Sequence, residues 1–271
     1  MRAETSARVD TALAAARQAS ALILGVYATP FAVDFKVGDD PVTRADREAN
    51  ALLCERLHAA FPGTPVVAEE SDPAVYAGFT EAEAVWFVDP LDGTREFVAK
   101  NDQFAVMIGL AEHGRATIGV IVAPAWDRAF VGVVGQGAWE VAADGSRRPI
   151  HVTDRAALTG ASFVISRSRA PDRLEALVAR VGGAAPVRHG SAGLKGVLVA
   201  TGVFDAYLQP GHAGMRWDAC ATEALVRAAG GECTTQDGAS FDYRTANLDN
   251  SRGLVATNGR VHAAVVDALR G

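Results

Sequence analysis

Asp89 and Asp92 stand three residues apart in Asp89-Pro90-Leu91-Asp92-Gly93-Thr94, directly after the apolar run Ala84-Val85-Trp86-Phe87-Val88. Two carboxylates and a hydroxyl thus emerge where a buried strand stops, the end at which open α/β sheets carry their active sites. Like charges this close repel unless a proton or cation neutralises them, and the simplest neutraliser is a hard divalent metal with oxygen ligands. Gly93 leaves room for a ligand to approach the backbone. A site holding two such ions against a phosphate needs more carboxylates and a positioned water. Glu69 and Asp218, at a predicted strand end and helix start, complete a candidate set of Glu69, Asp89, Asp92 and Asp218. Taken singly, Glu69-Glu70 reads as a solvated loop and Asp218 equally well as a helix cap. Thr43-x-x-Asp46 matches a capping box, which gives Asp46 a structural role.

Spacing separates this pattern from a related one. Haloacid-dehalogenase phosphatases use D-x-D-G-T, whose first aspartate is a nucleophile. Here the motif is one residue longer, with Pro90 after the first aspartate. That suits two carboxylates on metal, with the Leu91 carbonyl turned toward it and water attacking directly. The six histidines show no metal-ligand spacing, which argues against zinc. His212 and Arg216, just before Trp217-Asp218, are placed to reach a substrate. Cys54, Cys220 and Cys233 form no C-x-x-C pair and read as small buried hydrophobes. The glycines between 132 and 137 lack a P-loop lysine and read as hairpin turns.

The 271 residues carry a formal net charge of -6, with 49% hydrophobic and 21% charged residues, as expected of a fully folded chain. Basic residues are dispersed, which argues against binding a nucleic-acid polymer. The apolar run at 21–27 is too short to span a bilayer and lacks signal-peptide order, so neither an integral membrane segment nor a targeting segment is read. A reducing cytoplasm fits, with peripheral inner-membrane association and a homodimer left open.

Periodicity predicts the elements that position these groups. Helices are expected over 5–26 and 43–60 around a polar loop at 36–41, with extended segments at 65–68 and 85–88. Two hairpins follow, 104–111 with 116–123 and 128–134 with 138–141. Beyond residue 150 the pattern alternates: strands at 162–166, 203–208 and 253–256, and helices at 171–181, 194–200, 217–229 and 260–269. The expected organisation is an α+β lobe over 1–155 with the Asp89-Asp92 site. An α/β lobe over 156–271 then contributes Asp218 and the substrate pocket.

The stretch from Trp86 through Asp89-Pro90-Leu91-Asp92-Gly93-Thr94 to Phe97, together with Trp217-Asp218-Ala219 and Ala228-Ala229-Gly230-Gly231, resembles the inositol monophosphatase superfamily. Ala68-Glu69-Glu70-Ser71 and Val42-Thr43-x-Ala45-Asp46 extend the resemblance over nearly the whole chain. It implies a mixed α/β fold, a layered αβαβα sandwich, and lithium-sensitive hydrolysis of a phosphate monoester with two or three Mg2+ ions. By resemblance, Glu69, Asp89 and the Leu91 carbonyl hold one metal, and Asp89, Asp92 and Asp218 a second. Thr94 would help Glu69 orient water, the Gly93 and Thr94 amides would bind phosphate, and Asp46 would support a further metal through water.

Within the superfamily, Glu96, Asn101-Asp102-Gln103-Phe104 and Gly119-Val120-Ile121-Val122-Ala123-Pro124 are most similar to bacterial 3'(2'),5'-bisphosphate nucleotidases of sulfur metabolism. So is Gly190-Ser191-Ala192-Gly193-Leu194-Lys195, which makes Ser191 and Lys195 candidate substrate contacts beside Leu91, Asp92, Gly93, Thr94 and Asp218. Tyr207-Leu208-Gln209-Pro210-Gly211 stands where inositol phosphatases place a glutamate for ring hydroxyls. The alternatives are inositol 1-phosphate, histidinol phosphate or a sugar bisphosphate as substrate, and a non-catalytic regulatory member.

Overall fold

A computed structural model describes residues 3–36, 40–168 and 171–270. The helical period of Val9, Leu13, Ala16 and Ile23 is realised in α1 (Ala3–Tyr27), which buries that face against α2 (Arg44–Ala60) and the sheet behind it. By length and composition α1 could cross a membrane, yet half of its most apolar stretch is buried within the protein. Between these helices the expected polar loop is shorter than predicted. Its flanks pair as an antiparallel hairpin, β1 (Val33–Phe35) with β2 (Pro41–Thr43), and residues 37–39 lie outside the described residues.

Seven strands form the first sheet: β3 (Val66–Ala68), β4 (Ala84–Asp92), β5 (Ala105–Glu112), β6 (Arg115–Ala123), β7 (Arg128–Val133), β8 (Gly137–Val141) and β9 (Arg147–Pro149), in that order. Only β3 and β4 are parallel; the rest is a meander. Helix α3 (Thr94–Val98) follows β4 directly. The second sheet has the order β11 (Val187–His189), β10 (Phe163–Ser166), β12 (Ala206–Gln209), β14 (Leu254–Thr257), β13 (Glu232–Thr234). Its helices are α4 (Pro171–Arg180), α5 (Ala192–Ala200), α6 (Arg216–Ala228) and α7 (His262–Arg270). The expected strand at 203–208 begins only at Ala206, and the short strands β9, β11 and β13 carry too few residues to show a period.

Alternation along β4 assigns the layers. Trp86 and Val88 join Leu53, Leu57 and Ile23 in the core under α1 and α2, whereas Val85 and Phe87 join Leu194, Cys220 and Leu225 under α5 and α6. Beyond α5 and α6 lies the second sheet, whose outer face packs Phe163, Leu208 and Val255 against Val178 of α4 and Val265 of α7. The stack is therefore helix, sheet, helix, sheet, helix.

One feature of this packing seats the site. Gly109, Gly119 and Gly132 pair across β5, β6 and β7 as a row without side chains. A Cβ on Gly119 would lie 2.3 Å from the Ala221 carbonyl oxygen, and one on Gly132 would lie 2.6 Å from Leu225 Cα. The row is a trough that lets α6, the helix carrying Asp218, lie directly on the sheet. Gly132 is thus a strand residue facing a helix, not the turn glycine expected from its neighbours.

Candidate active site

In a regular strand, residues three apart point to opposite faces. The end of β4 escapes this rule: Asp89 pairs with Met107 and Asp92 with Ala105, so three steps on β4 oppose two on β5. The extra residue is a bulge, and it brings both carboxylates to the side facing α5 and α6. Asp89 Oδ1 accepts from the Leu91 amide at 3.0 Å, which fixes the turn at Pro90. Leu91 buries its side chain, and its carbonyl accepts from the Thr94 hydroxyl at 3.1 Å.

Asp92 reaches across to the second half of the chain. Its Oδ1 accepts from the Ala192 amide at 3.1 Å, its Oδ2 from the Gly193 amide at 2.7 Å, and the Ser191 hydroxyl also donates to it. The carboxylate thereby satisfies the open amides at the start of α5, where the helix dipole favours negative charge. Ser191 holds this position at φ 57°, and its Oγ accepts in turn from the Leu194 amide at 3.0 Å. Asp218, in the first turn of α6, accepts from the Met215 amide at 2.6 Å. Gly214 lets the chain pass beside it, since a Cβ there would lie 2.5 Å from Asp218 Oδ2. Capping and site-facing roles coincide in both aspartates.

Ligand oxygens of Asp89, Asp92 and Asp218 all lie within 4.8 Å of one another. Glu69, at the end of β3, faces the same cavity; its amide donates to the Val88 carbonyl at 3.1 Å, which fixes it beside β4. Burial pushes the Glu69 carboxyl up to about 7, aided by the charges of Asp218 and Glu70 and opposed by Lys36. Asp89 is likewise raised well above its ordinary range, first by burial and then by Glu69, Asp92 and Asp218 around it. Acids so crowded and desolvated hold charge only beside a cation. Hard oxygens at this spacing suit one or more small divalent ions.

Lys36 was not evident from sequence. Its ammonium contacts Glu69 at 2.9 Å and also Glu70, so Glu69-Glu70 is an ion-paired wall rather than a solvated loop. Burial alone would lower the Lys36 ammonium, but the two glutamates more than offset it and keep it charged. The pairing brings the residue after β1 to the end of β3 across 33 positions of sequence, and no local spacing reports that.

The capping box at Thr43 forms: Asp46 Oδ2 accepts from the Thr43 amide at 2.7 Å and its hydroxyl at 2.6 Å. Asp46 Oδ1 accepts from Thr94 Oγ1 at 2.9 Å. Burial raises the Asp46 carboxyl, and these hydrogen bonds from Thr43 and Thr94 oppose the rise. Asp46 therefore sits behind Thr94, outside the lining of the cavity. Thr94 directs its hydroxyl to Asp46 and Leu91, whereas the expectation from resemblance paired it with Glu69.

The cavity of about 120 Å³ is lined by Glu69, Asp89, Leu91, Asp92, Gly93 and Thr94, with Ser191, Lys195 and Asp218. Lys195 is buried, with its ammonium 2.5 Å from the Ser191 carbonyl and 4.9 Å from the centre of the Tyr207 ring. Glu96, raised by burial, is held down by the Lys195 charge. Ser166 and Ser168 also line the cavity and had no motif to mark them, and Gln209 lines it from the segment that stands where inositol phosphatases place a glutamate. His212 and Arg216 do not reach the cavity. His212 Nε2 lies 3.0 Å from Asp249 Oδ1, and the Arg216 guanidinium turns to the Asp242 carbonyl at 3.1 Å and over the Phe241 ring.

Residues 5–270 match the family model described as the inositol monophosphatase family. The chain belongs to the inositol monophosphatase family. It is 36% identical over 231 residues to the 3'(2'),5'-bisphosphate nucleotidase CysQ of Salmonella typhimurium, covering 84% of this chain and 90% of the relative. The solved inositol monophosphatase of Anabaena superposes with a TM-score of 0.80 at 28% identity, covering 98% of this chain and 96% of the other. CysQ from Bacteroides thetaiotaomicron gives 0.77 at 28% identity, covering 95% and 98%. The αβαβα stack is thus the family's, and the chain is a hydrolase of phosphate monoesters from a family that depends on metal.

Proposed function

We propose that this protein is a Mg2+-dependent 3'(2'),5'-bisphosphate nucleotidase that converts 3'-phosphoadenosine 5'-phosphate to AMP and phosphate. The observation that carries the reading is the convergence of Asp89, Asp92 and Asp218, from segments more than a hundred residues apart, to within 4.8 Å. Likeness to CysQ supports the choice of substrate class.

In this reading Glu69, Asp89 and the Leu91 carbonyl hold one ion, and Asp89, Asp92 and Asp218 a second. Bound there, such ions would polarise the phosphoryl oxygens and lower the pKa of a water, supplying a nucleophile near neutral pH. The chain's own groups do the positioning. Thr94 gives its proton to Asp46 and so presents lone pairs that accept from the attacking water. Glu69, on the same cavity wall as Thr94, would orient that water with it and take the proton that the water sheds. The Gly93 and Thr94 amides bind a phosphoryl oxygen, and Lys195 with Ser191 sets positive charge and a polar wall toward the rest of the ester. A lithium-sensitive, cytoplasmic enzyme accords with the same reading.

The test is a panel of esters assayed side by side with Mg2+: 3'-phosphoadenosine 5'-phosphate, inositol 1-phosphate, histidinol phosphate and a sugar bisphosphate. The expected result is a kcat/KM at least tenfold higher for the nucleotide. Higher kcat/KM for inositol 1-phosphate would instead align the chain with its structural neighbour from Anabaena.

A further inference from the structure

A second cavity adjoins the first. It measures about 630 Å³ against about 120 Å³ for the active-site cavity, and Gln209 lines both. One face of α4 forms a wall: Arg173, Leu177 and Arg180 recur at helical spacing. Leu269 and Arg270 of α7 close the other side, and Gln209, Pro210 and Gly211 form the end nearest the active site.

The charge of this lining is unlike that of the chain. The sequence has 32 acidic and 26 basic residues, yet among the described residues the cavity is lined by three guanidinium groups and no carboxylate. The acids of α4 are engaged elsewhere, since Asp172 and Glu175 both pair with Arg188. Arg180 donates to the Ala268 carbonyl at 3.0 Å, and Arg270 donates to the Asp237 carbonyl at 2.6 Å and Asp267 Oδ1 at 3.3 Å. These bonds orient the two guanidiniums at the rim and leave each with further N–H groups to give. Leu177 and Leu269 supply an apolar floor between the cations. Planar guanidiniums match phosphate oxygens two at a time, and the volume falls in the range of small-molecule sites.

From this arrangement we infer a second binding site, separate from the catalytic acids, for a small phosphate monoester with an apolar or planar body. The anionic group sits among Arg173, Arg180 and Arg270, and the body lies on Leu177 and Leu269 against Gln209. Nothing in this assignment depends on which ester the active site cleaves.

The probes are AMP, inorganic phosphate and adenosine, titrated by calorimetry into protein stripped of metal with EDTA, where the crowded acids of the active site repel anions. The expected result is saturable binding of AMP, at least fivefold weaker binding of phosphate, and no binding of adenosine. Arg173→Glu with Arg180→Glu should weaken AMP at least tenfold at unchanged melting temperature, both side chains being exposed. Lys195→Met should leave AMP binding within twofold. The site is overturned if metal-free protein binds no AMP, if the double charge reversal changes nothing, or if Lys195→Met abolishes binding instead. Equal affinity for phosphate and AMP would overturn the assigned role of the apolar floor.

Discussion

The Gly193 amide donates to Asp92 Oδ2 at 2.7 Å, joining the end of β4 to the start of α5 across 101 positions of sequence. One carboxylate both caps a helix of the second half and faces the candidate metal site of the first. Ser191 makes this dual role possible, because its hydroxyl donates to Asp92 while accepting from Leu194. Ser191→Ala removes both links. The expected loss is about 1 kcal/mol of stability from the missing cap, together with at least a tenfold fall in kcat as Asp92 loses its aim. Thermal melts and steady-state kinetics check it. An unchanged kcat would show that the backbone amides alone aim Asp92.

Asp89 illustrates a trade between stability and function. Its carboxyl is fully desolvated beside three other acids, and burial with their charges raises it well above the usual range. Asp89→Asn keeps the shape and deletes the repulsion. In EDTA the variant should therefore melt at a higher temperature than the wild type, while turnover with Mg2+ falls by orders of magnitude. Differential scanning fluorimetry and the ester assay read the two effects separately. Near-normal turnover would discard the two-metal reading.

Much of this site was legible because motif residues sit at element ends. The apolar run before Asp89, the capping box at Thr43 and Asp46, and the helix start at Asp218 each carry a local signature. What sequence withheld was long-range. A spacing of three in a strand does not announce the bulge that puts Asp89 and Asp92 on one side. Lys36 meets Glu69 only through the fold of a hairpin, and His212 and Arg216 are drawn away by the loop around Asp249 and Asp242. Gly132 looked like a turn because a glycine that admits a helix and one that admits a positive φ are the same letter.

The trough beneath α6 gives a stability prediction far from any acid. A methyl at position 119 would come within 2.3 Å of the Ala221 carbonyl, so α6 must lift or the sheet must bend. Overpacking of this kind costs about 1–3 kcal/mol, which lowers the melting temperature by roughly 2–4 °C for each kcal/mol. Because α6 carries Asp218, Gly119→Ala should also weaken Mg2+ binding. Gly135→Ala is the control, since nothing lies within 4 Å of its added carbon. That glycine has φ 79°, so its variant can lose stability through backbone strain but should leave Mg2+ affinity unchanged.

The raised carboxyls set a pH dependence whose sign can be worked out. Glu69 has an ordinary value of 4.5 and is raised to about 7 in the fold, mainly by burial. The fold thus favours its protonated form. That contribution to stability is complete below about 4.5 and is lost as pH rises through about 7. Asp89 shifts in the same direction and extends the loss upward in pH. Metal-free protein should therefore melt lower at pH 8 than at pH 5.5, by several degrees. Divalent cations bind only the ionised acids, so the rise in melting temperature on adding Mg2+ should be larger at pH 8 than at pH 5.5. Asp89→Asn should flatten both trends, because it removes the upward-shifted Asp89 titration from the cluster. Melts in EDTA and in Mg2+ across this range test the sign, and a metal-free protein that gains stability as pH rises would show that the acids are not crowded as described.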